Sequence, residues 1–200
     1  AGTTKWPIDY DTVTGIWQTV WLEPVSKIHI NALSSHFKLD TSTLHCCVET
    51  NQQNTYTLQI EVIDDGEIVS ESVNSFASRA ESKLQLEVPD AALWSPDSPQ
   101  LYDLRLSLFD DEGALVDEAI SYAGLREISH DGQSITLNGN PLYLRGVLDQ
   151  GYFEQGWYTA VDDATLRKDV ELTLALGFNC ARKHQKIEDP RYLYWADQLG

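Results

Sequence analysis

Tyr56-Thr57-Leu58-Gln59-Ile60-Glu61-Val62-Ile63-Asp64-Asp65-Gly66-Glu67 is the stretch on which the fold turns. Tyr56–Ile63 alternates apolar and polar through Val62 and ends on a second apolar residue, Ile63. That is the period-2 signature of a strand with one buried and one wet face. Asp64-Asp65-Gly66-Glu67 then supplies residues that tolerate positive φ, so the chain doubles back. The same grammar extends outward. Lys27–Leu33, Leu44–Val48, Lys83–Val88, Leu101–Phe109 and Ala114–Tyr122 alternate, Glu67–Phe76 does so less regularly, and Asp110-Asp111-Glu112-Gly113 is a second turn. Ile16-Trp17-Gln18-Thr19-Val20-Trp21-Leu22, β-branched and aromatic and closed by Pro24, reads as one more strand. Seven strands spaced by about 8–15 residues over roughly 100 residues predict an immunoglobulin-like or fibronectin-like β-sandwich. Cys46 and Cys47 are neighbours on a strand and point to opposite faces, so they do not bridge, and Cys180 stands alone. The sandwich is expected to lack a disulfide, with small buried thiols in its place.

Beyond residue 128 the pattern changes. Ser134–Leu137, the Asn138-Gly139-Asn140-Pro141 turn and the nearly continuous apolar run Leu142–Val147 predict a hairpin. After a loop over 148–161, Asp162 or Asp163 caps a helix with Leu166, Val170, Leu174 and Leu176 on its inner side, and Gly177 stops it. Phe178–Arg182 is a short strand. Asp189-Pro190 opens a second helix carrying Leu193, Trp195, Ala196 and Leu199. Residues 142–200 thus run β-α-β-α, the pattern of a parallel sheet. Two such units are a quarter of the eight that close a (β/α)8 barrel. The expected fold class is therefore multidomain, an immunoglobulin-like sandwich followed by the first two βα units of a truncated barrel. An incomplete barrel leaves apolar surface around Val147, Phe178 and Trp195, and self-association through it is the expectation.

Charge excludes some function classes. The 200 residues carry 31 Asp and Glu against 14 Lys and Arg, a net charge of −17. Residues 1–128 hold net −14 of this and residues 129–200 only −3. A polyanion is repelled by phosphate backbones and by anionic lipid, so neither nucleic acid nor membrane is an expected partner. The sequence has no Met and no apolar run of about 18 residues, so no spanning or targeting segment is read and the compartment stays open.

No complete catalytic set is present: no GxSxG, no P-loop, no GxGxxG and no CxxC. The five histidines are scattered and no metal site is read. Asp149 follows the strand ending at Val147, and Arg182, Lys183 and His184 end the strand 178–182. Function gathers at such C-terminal strand ends in parallel α/β folds. Arg182 can clamp a carboxylate through two parallel hydrogen bonds. The plainer readings are a turn role for Asp149, a structural salt bridge for Arg182 and simple exposure for Lys183 and His184. Trp6, Trp94, Tyr102 and Trp157 are the aromatics available to stack on sugar faces, and packing explains them equally well.

Five segments, in order, carry a resemblance. Gly15-Ile16-Trp17-Gln18-Thr19-Val20-Trp21-Leu22-Glu23-Pro24 resembles the closing strand of the sugar-binding jelly roll of glycoside hydrolase family 2. Leu93-Trp94-Ser95-Pro96-Asp97-Ser98-Pro99-Gln100-Leu101-Tyr102 resembles the end of that family's immunoglobulin-like domain. Gly124-Leu125-Arg126, then Leu137–Pro141 with Leu144-Arg145-Gly146-Val147, resemble its passage into the catalytic barrel. Gly177-Phe178-Asn179-Cys180-Ala181-Arg182, continuing to Pro190, Asp197 and Gly200, resembles its first signature. The resemblance implies three parts: 1–24 the tail of the jelly roll, 25–127 the sandwich, and 128–200 the start of the catalytic barrel.

It further implies a retaining β-glycosidase, β-galactosidase-like, whose barrel takes a carbohydrate substrate. Such enzymes use two carboxyl groups ~5–5.5 Å apart. The family's two glutamates sit on later barrel strands, and no Glu here matches either. The chain alone is therefore expected to be inactive, with its catalytic residues beyond Gly200. By resemblance Arg182 orients or neutralises the nucleophilic glutamate, and Asp149, Lys183, His184 and Gln185 support the site. Gln185 falls where the family commonly has His, and Leu148-Asp149-Gln150 replaces an Asn-x-His pattern. Family members can require Na⁺ or Mg²⁺, but no residue of this sequence forms a recognisable ion site and no cofactor is expected in it. The alternative reading is a non-catalytic carbohydrate-binding or structural β-sandwich module.

Overall fold

The computed structural model describes residues 13–200, the side chains of residues 78 and 79 apart. The chain divides into two compact units, one of residues 23–143 and one that joins residues 144–199 to the segment ending at Leu22. Trp6 lies outside the described residues, as does the first half of the 1–24 segment.

In the larger unit β1 (Ile30–Lys38), β2 (Thr43–Asp64), β3 (Glu67–Glu87), β4 (Tyr102–Phe109) and β5 (Leu115–Ala123) form one antiparallel sheet. Its order is β1-β2-β4-β5, with β3 also on β2. The segments expected as separate strands at 44–48 and 56–63 are one strand, β2, and those at 67–76 and 83–88 are one strand, β3. The polar run Asn51-Gln52-Gln53-Asn54 is the reason for the difference: it has loop composition, yet β2 and β3 pair on both sides of it. The register slips between Glu49 and Tyr56. Before the slip β2 pairs with β1, and after it with β4. The two long strands thereby serve both halves of the sheet, and the halves share one core.

The alternation read in the sequence builds that core. Leu58, Ile60 and Val62 stand opposite Leu108, Leu106 and Leu104, and all six are fully buried. Leu44 and Cys46 stand opposite Leu86 and Leu84, buried as well. Each such side chain contributes about 1.5–3 kcal/mol by leaving water. Tyr56 enters the core with its hydroxyl satisfied by Ser82 at 2.6 Å. The sheet is fastened at its ends by side chains: Ile30 N–H donates to Asp117 Oδ2 at 2.8 Å, and Leu39 N–H to Glu127 Oε2 at 3.0 Å. The hairpin joining β2 to β3 is the two-residue turn expected, with Asp65 at φ 47° and Gly66 at φ 87°. The three cysteines are free, and burial pushes the Cys46 thiol up to about 12.

Two expected strands differ. Ile16–Leu22 forms no strand, because no neighbouring segment among the described residues pairs with its backbone, and Val20, Trp21 and Leu22 are exposed. The first strand of the sheet begins at Ile30 and runs on through Phe37, which is buried, rather than covering 27–33.

Still in the larger unit, β6 (Ile128–His130), β7 (Ile135–Leu137) and β8 (Asn140–Leu142) make a three-stranded sheet. Its Asn138-Gly139 turn has φ 51° and 77°. Asn138 Oδ1 accepts from Glu127 N–H at 3.0 Å, and its Nδ2 donates to the Trp94 carbonyl at 3.0 Å. Trp94 in turn carries the Arg126 guanidinium 4.2 Å from its ring centre. The apolar run Leu142–Val147 is not one strand. Its first residue ends β8 and its last two lie in β9 (Gly146–Asp149), with Tyr143 exposed between them.

The smaller unit follows the expected order: β9, α1 (Asp163–Ala175), β10 (Cys180–Lys183) and α2 (Pro190–Leu199). β9 and β10 pair in parallel. Asp162 caps α1, its Oδ1 accepting from Thr165 N–H at 2.8 Å. Gly177, at φ 84°, ends α1: its N–H donates to Leu174 O and that of Phe178 to Thr173 O. This is the Schellman pattern, for which glycine is the favoured residue. Asn179 then ties the strand starts together, its Oδ1 accepting from Arg145 N–H at 2.7 Å. Leu166, Val170 and Tyr192 form the unit's buried centre, with Phe153, Ala181 and Trp195 against it. Val147, Phe178 and Trp195, expected on an open surface, are half-buried; exposed apolar side chains include Leu148, Leu172, Ile187 and Leu193 instead, and Leu176, expected on the inner side of α1, is exposed too. Among the described residues no helix is long and apolar enough to cross a membrane.

Candidate functional site

The parallel pair sorts the predicted residues by face. Register partners share a face, so Val147 lies beside Ala181, Leu148 beside Arg182 and Asp149 beside Lys183. Ala181 packs into the helical core, and Lys183 lies 3.7 Å from the centre of the Tyr192 ring of α2. Asp149 and Lys183 therefore sit on the helix side. Leu148 and Arg182 are exposed on the other side.

On the helix side a charge cluster closes the C-terminal ends of both strands. Lys183 Nζ bonds to Asp149 Oδ2, lies 3.1 Å from Glu188 Oε2 and 3.7 Å from Asp169 Oδ2. Lys186, whose side chain is 1% exposed, has Nζ 3.0 Å from Glu188 Oε1 and donates to the Gly151 carbonyl at 2.7 Å. The Tyr158 ring centre is 4.8 Å from the same ammonium. Two cations thus serve three carboxylates, with Glu188 bridging the lysines. Burial, with the repulsion of Asp149 and Glu188, holds the Asp169 carboxyl above its ordinary range, against the pull of Lys183. The Tyr192 phenol is pushed up for the same two reasons.

Gly151 fits the turn of this cluster by necessity. Its φ is 63°, and a Cβ there would stand 2.5 Å from Glu188 Oε2. Its N–H donates to Asp149 Oδ1 at 2.7 Å, so one residue joins the acid of β9 to the lysine of the next loop. Buried ammonium groups that neutralise these carboxylates make the cluster a lock for the two strand-to-helix loops. The Arg182 guanidinium lies outside this lock, exposed on the opposite face.

Of the residues singled out in sequence, the structure brings Asp149 and Lys183 together and adds His184, whose N–H donates to the Asp149 carbonyl at 2.8 Å. Arg182 stands apart on the other face. Gln185 is exposed at φ 57°, turned into the loop. Sequence reasoning missed Lys186, Glu188, Asp169 and Tyr192. Tyr192 had a signal, being three residues before Trp195 on one helix face. Lys186 and Glu188 read as ordinary polar loop residues. Among the described residues no group of three or more His, Cys, Asp or Glu side chains is arranged to hold a metal ion.

Residues 28–126 match the family model of glycosyl hydrolases family 2. A β-galactosidase of Halalkalibacterium halodurans is 28% identical over 99% of the chain, and one of Psychromonas ingrahamii is 27% identical over 94%. The chain spans 20% of the length of each. Among solved structures, a β-glucuronidase of Ruminococcus gnavus bound to a uronic isofagomine superimposes with a TM-score of 0.74. That match has 22% identity and covers 88% of this chain and 29% of the other. A β-D-glucuronidase of Dictyoglomus thermophilum gives 0.74 at 23% identity, covering 87% and 28%. At these identities the structural matches speak to the fold.

Proposed function

Because the chain belongs to glycosyl hydrolase family 2, we propose that it is a segment of a retaining β-glycosidase, β-galactosidase-like, in which β9-α1-β10-α2 is the opening of a (β/α)8 barrel. The observation that carries this reading is the sorting of faces: helices cover one side of the parallel pair, and Arg182 projects from the other near its C-terminal end. In a (β/α)8 barrel the helix-free side is the interior, and chemistry gathers at the C-terminal ends of the strands. Arg182 then meets a catalytic carboxylate supplied by later strands. It favours the ionised form of that carboxylate through charge-assisted hydrogen bonds and keeps it nucleophilic. A partner acid ~5–5.5 Å away protonates the leaving oxygen. The 200-residue chain supplies neither acid and is inactive alone.

The test is an enzyme of the relatives' full length, assayed on nitrophenyl β-galactoside, β-glucuronide and β-mannoside. β-Galactoside hydrolysis with retention is expected, falling at least about 100-fold in kcat for Arg182→Ala, the scale of one lost charge-stabilising donor. An unchanged kcat removes Arg182 from the site, and no hydrolysis of any β-glycoside overturns the reading.

A further inference from the structure

Two hollows of the smaller unit meet at Trp17. One, of about 360 Å³, lies between residues 16–19 and the first turns of α1 and α2. The other, of about 380 Å³, is lined by Trp157 and residues 13–17. Ile16, Trp17, Tyr158 and Thr159 line both. Each volume falls in the ~300–1,000 Å³ range of small-molecule sites.

The first hollow has an aromatic wall and an acceptor rim. Trp17 and Tyr158 stand edge to face, 5.2 Å apart at 62°, and Tyr158 is fixed from behind by Tyr152 and by the Lys186 ammonium. Asp162 and Asp189 also line it, each holding a helix-start N–H through Oδ1, those of Thr165 and Arg191. Glu188, its side chain 4% exposed, also lines the hollow, and its Oε2 accepts no hydrogen bond although Lys183 Nζ lies 3.1 Å away. Arg191, the cation at the rim, is already held at two points by Asp163, at 2.8 and 3.2 Å. The hollow thus offers ring faces and carboxylate acceptors, with its cation already paired. A ligand with an apolar C–H face and several O–H donors matches that set, and one with its own carboxylate is repelled.

In the second hollow Trp157 is 52% exposed at φ 57°. A bulky residue in the left-handed region is held there at a cost. Here the paired hydrogen bonds between Phe153 and Trp157, at 2.8 and 2.9 Å, hold it. The result is a second ring displayed toward solvent in the hollow that Trp17 also lines.

We infer that these hollows form a cleft for a neutral sugar chain, with one sugar residue on either side of Trp17. The inference rests on the carbohydrate reading above and names the class of sugar. The 200-residue protein is titrated with lactose, methyl β-galactoside and methyl β-glucuronide, followed by tryptophan fluorescence and saturation-transfer NMR. Lactose is expected to bind saturably, about tenfold more tightly than the glucuronide. Trp17→Ala weakens it about tenfold or more, Trp157→Ala weakens lactose more than methyl β-galactoside, and Trp21→Ala, outside both hollows, leaves binding unchanged. Asp189→Asn, which preserves shape, also weakens lactose and so keeps the test valid if Trp17→Ala unfolds. No saturable binding by the folded protein, equal binding of the glucuronide, or indifference to both Trp17→Ala and Asp189→Asn overturns the inference. Lost binding with retained hydrolysis by a full-length enzyme overturns the cleft alone. Retained binding with no hydrolysis overturns the glycosidase reading alone.

Discussion

Arg105 holds Glu61 at two points across directly opposed positions of β4 and β2, Nη2 to Oε1 at 2.9 Å and Nε to Oε2 at 2.5 Å. Glu61 is only 5% exposed, so this pair is what allows a carboxylate in that position. Arg105 hydrogen bonding holds the Glu61 carboxyl below its ordinary range. The unfolded state, titrating near ~4.3, then binds more protons than the folded one just below that pH. The pair's contribution is present above ~4.3 and is lost as pH falls through the folded value. Arg105→Ala is expected to lower Tm at pH 7 and to flatten its acid limb, measured by thermal melts between pH 7 and pH 3. A variant whose melting curve keeps the wild-type acid limb contradicts this account.

His36 and His45 face each other across β1 and β2 with stacked rings, 4.8 Å apart and 9° from parallel. Burial, then His36 and Lys38, lower the His45 pKa, while Asp40 opposes them. A histidine lowered on folding takes its proton more readily when unfolded, so stability is present above the unfolded value of ~6.5 and declines as pH falls below it. In a proton NMR titration the His45 ring is expected to titrate below ~6.5. His36→Ala moves that midpoint upward. A His45 midpoint at or above ~6.5 contradicts the stacked arrangement.

Lys186 tests the buried lock. With its side chain 1% exposed and bonded to Glu188 and the Gly151 carbonyl, its removal strands a carboxylate in a low-dielectric setting. Lys186→Met keeps the volume and drops the charge, and a loss of about 3–5 kcal/mol is expected in urea denaturation. A loss under ~1 kcal/mol means that the cluster is hydrated and does not lock the loops.

Glycines 151 and 132 make a paired comparison, since both have positive φ, 63° and 88°. Nothing lies within 4 Å of a Cβ at Gly132, whereas one at Gly151 meets Glu188 Oε2 at 2.5 Å. Gly132→Ala is expected to cost about 1 kcal/mol from backbone strain alone. Gly151→Ala costs clearly more, because Glu188 and Lys186 must also shift. Equal losses by calorimetry contradict the close approach.

Much of the fold was legible where local chemistry decides it. The Asp65-Gly66 and Asn138-Gly139 turns, the Asp162 cap and the Gly177 stop are each set by a few neighbouring residues. The length of β2 was not legible, because pairing with β3 on both sides of Asn51–Asn54 overrides local propensity. Ile16–Leu22 failed for the converse reason: it has strand composition, but no strand among the described residues pairs with it. In the site, the opposite facing of Arg182 and Lys183 follows from the two-residue period of a strand. Lys186 and Glu188 were invisible, since only tertiary packing makes a loop lysine a buried one.

The shared strands β2 and β3 carry a consequence for how the sheet comes apart. Neither half of the sheet owns a complete set of strands, so neither can open while the other stays zipped. Amide protons on both halves should therefore exchange through a single concerted opening, with one common free energy, rather than layer by layer. The two-residue turn at Asp65-Gly66 is where resealing starts, since that short loop brings the longest ladder among the described residues into register.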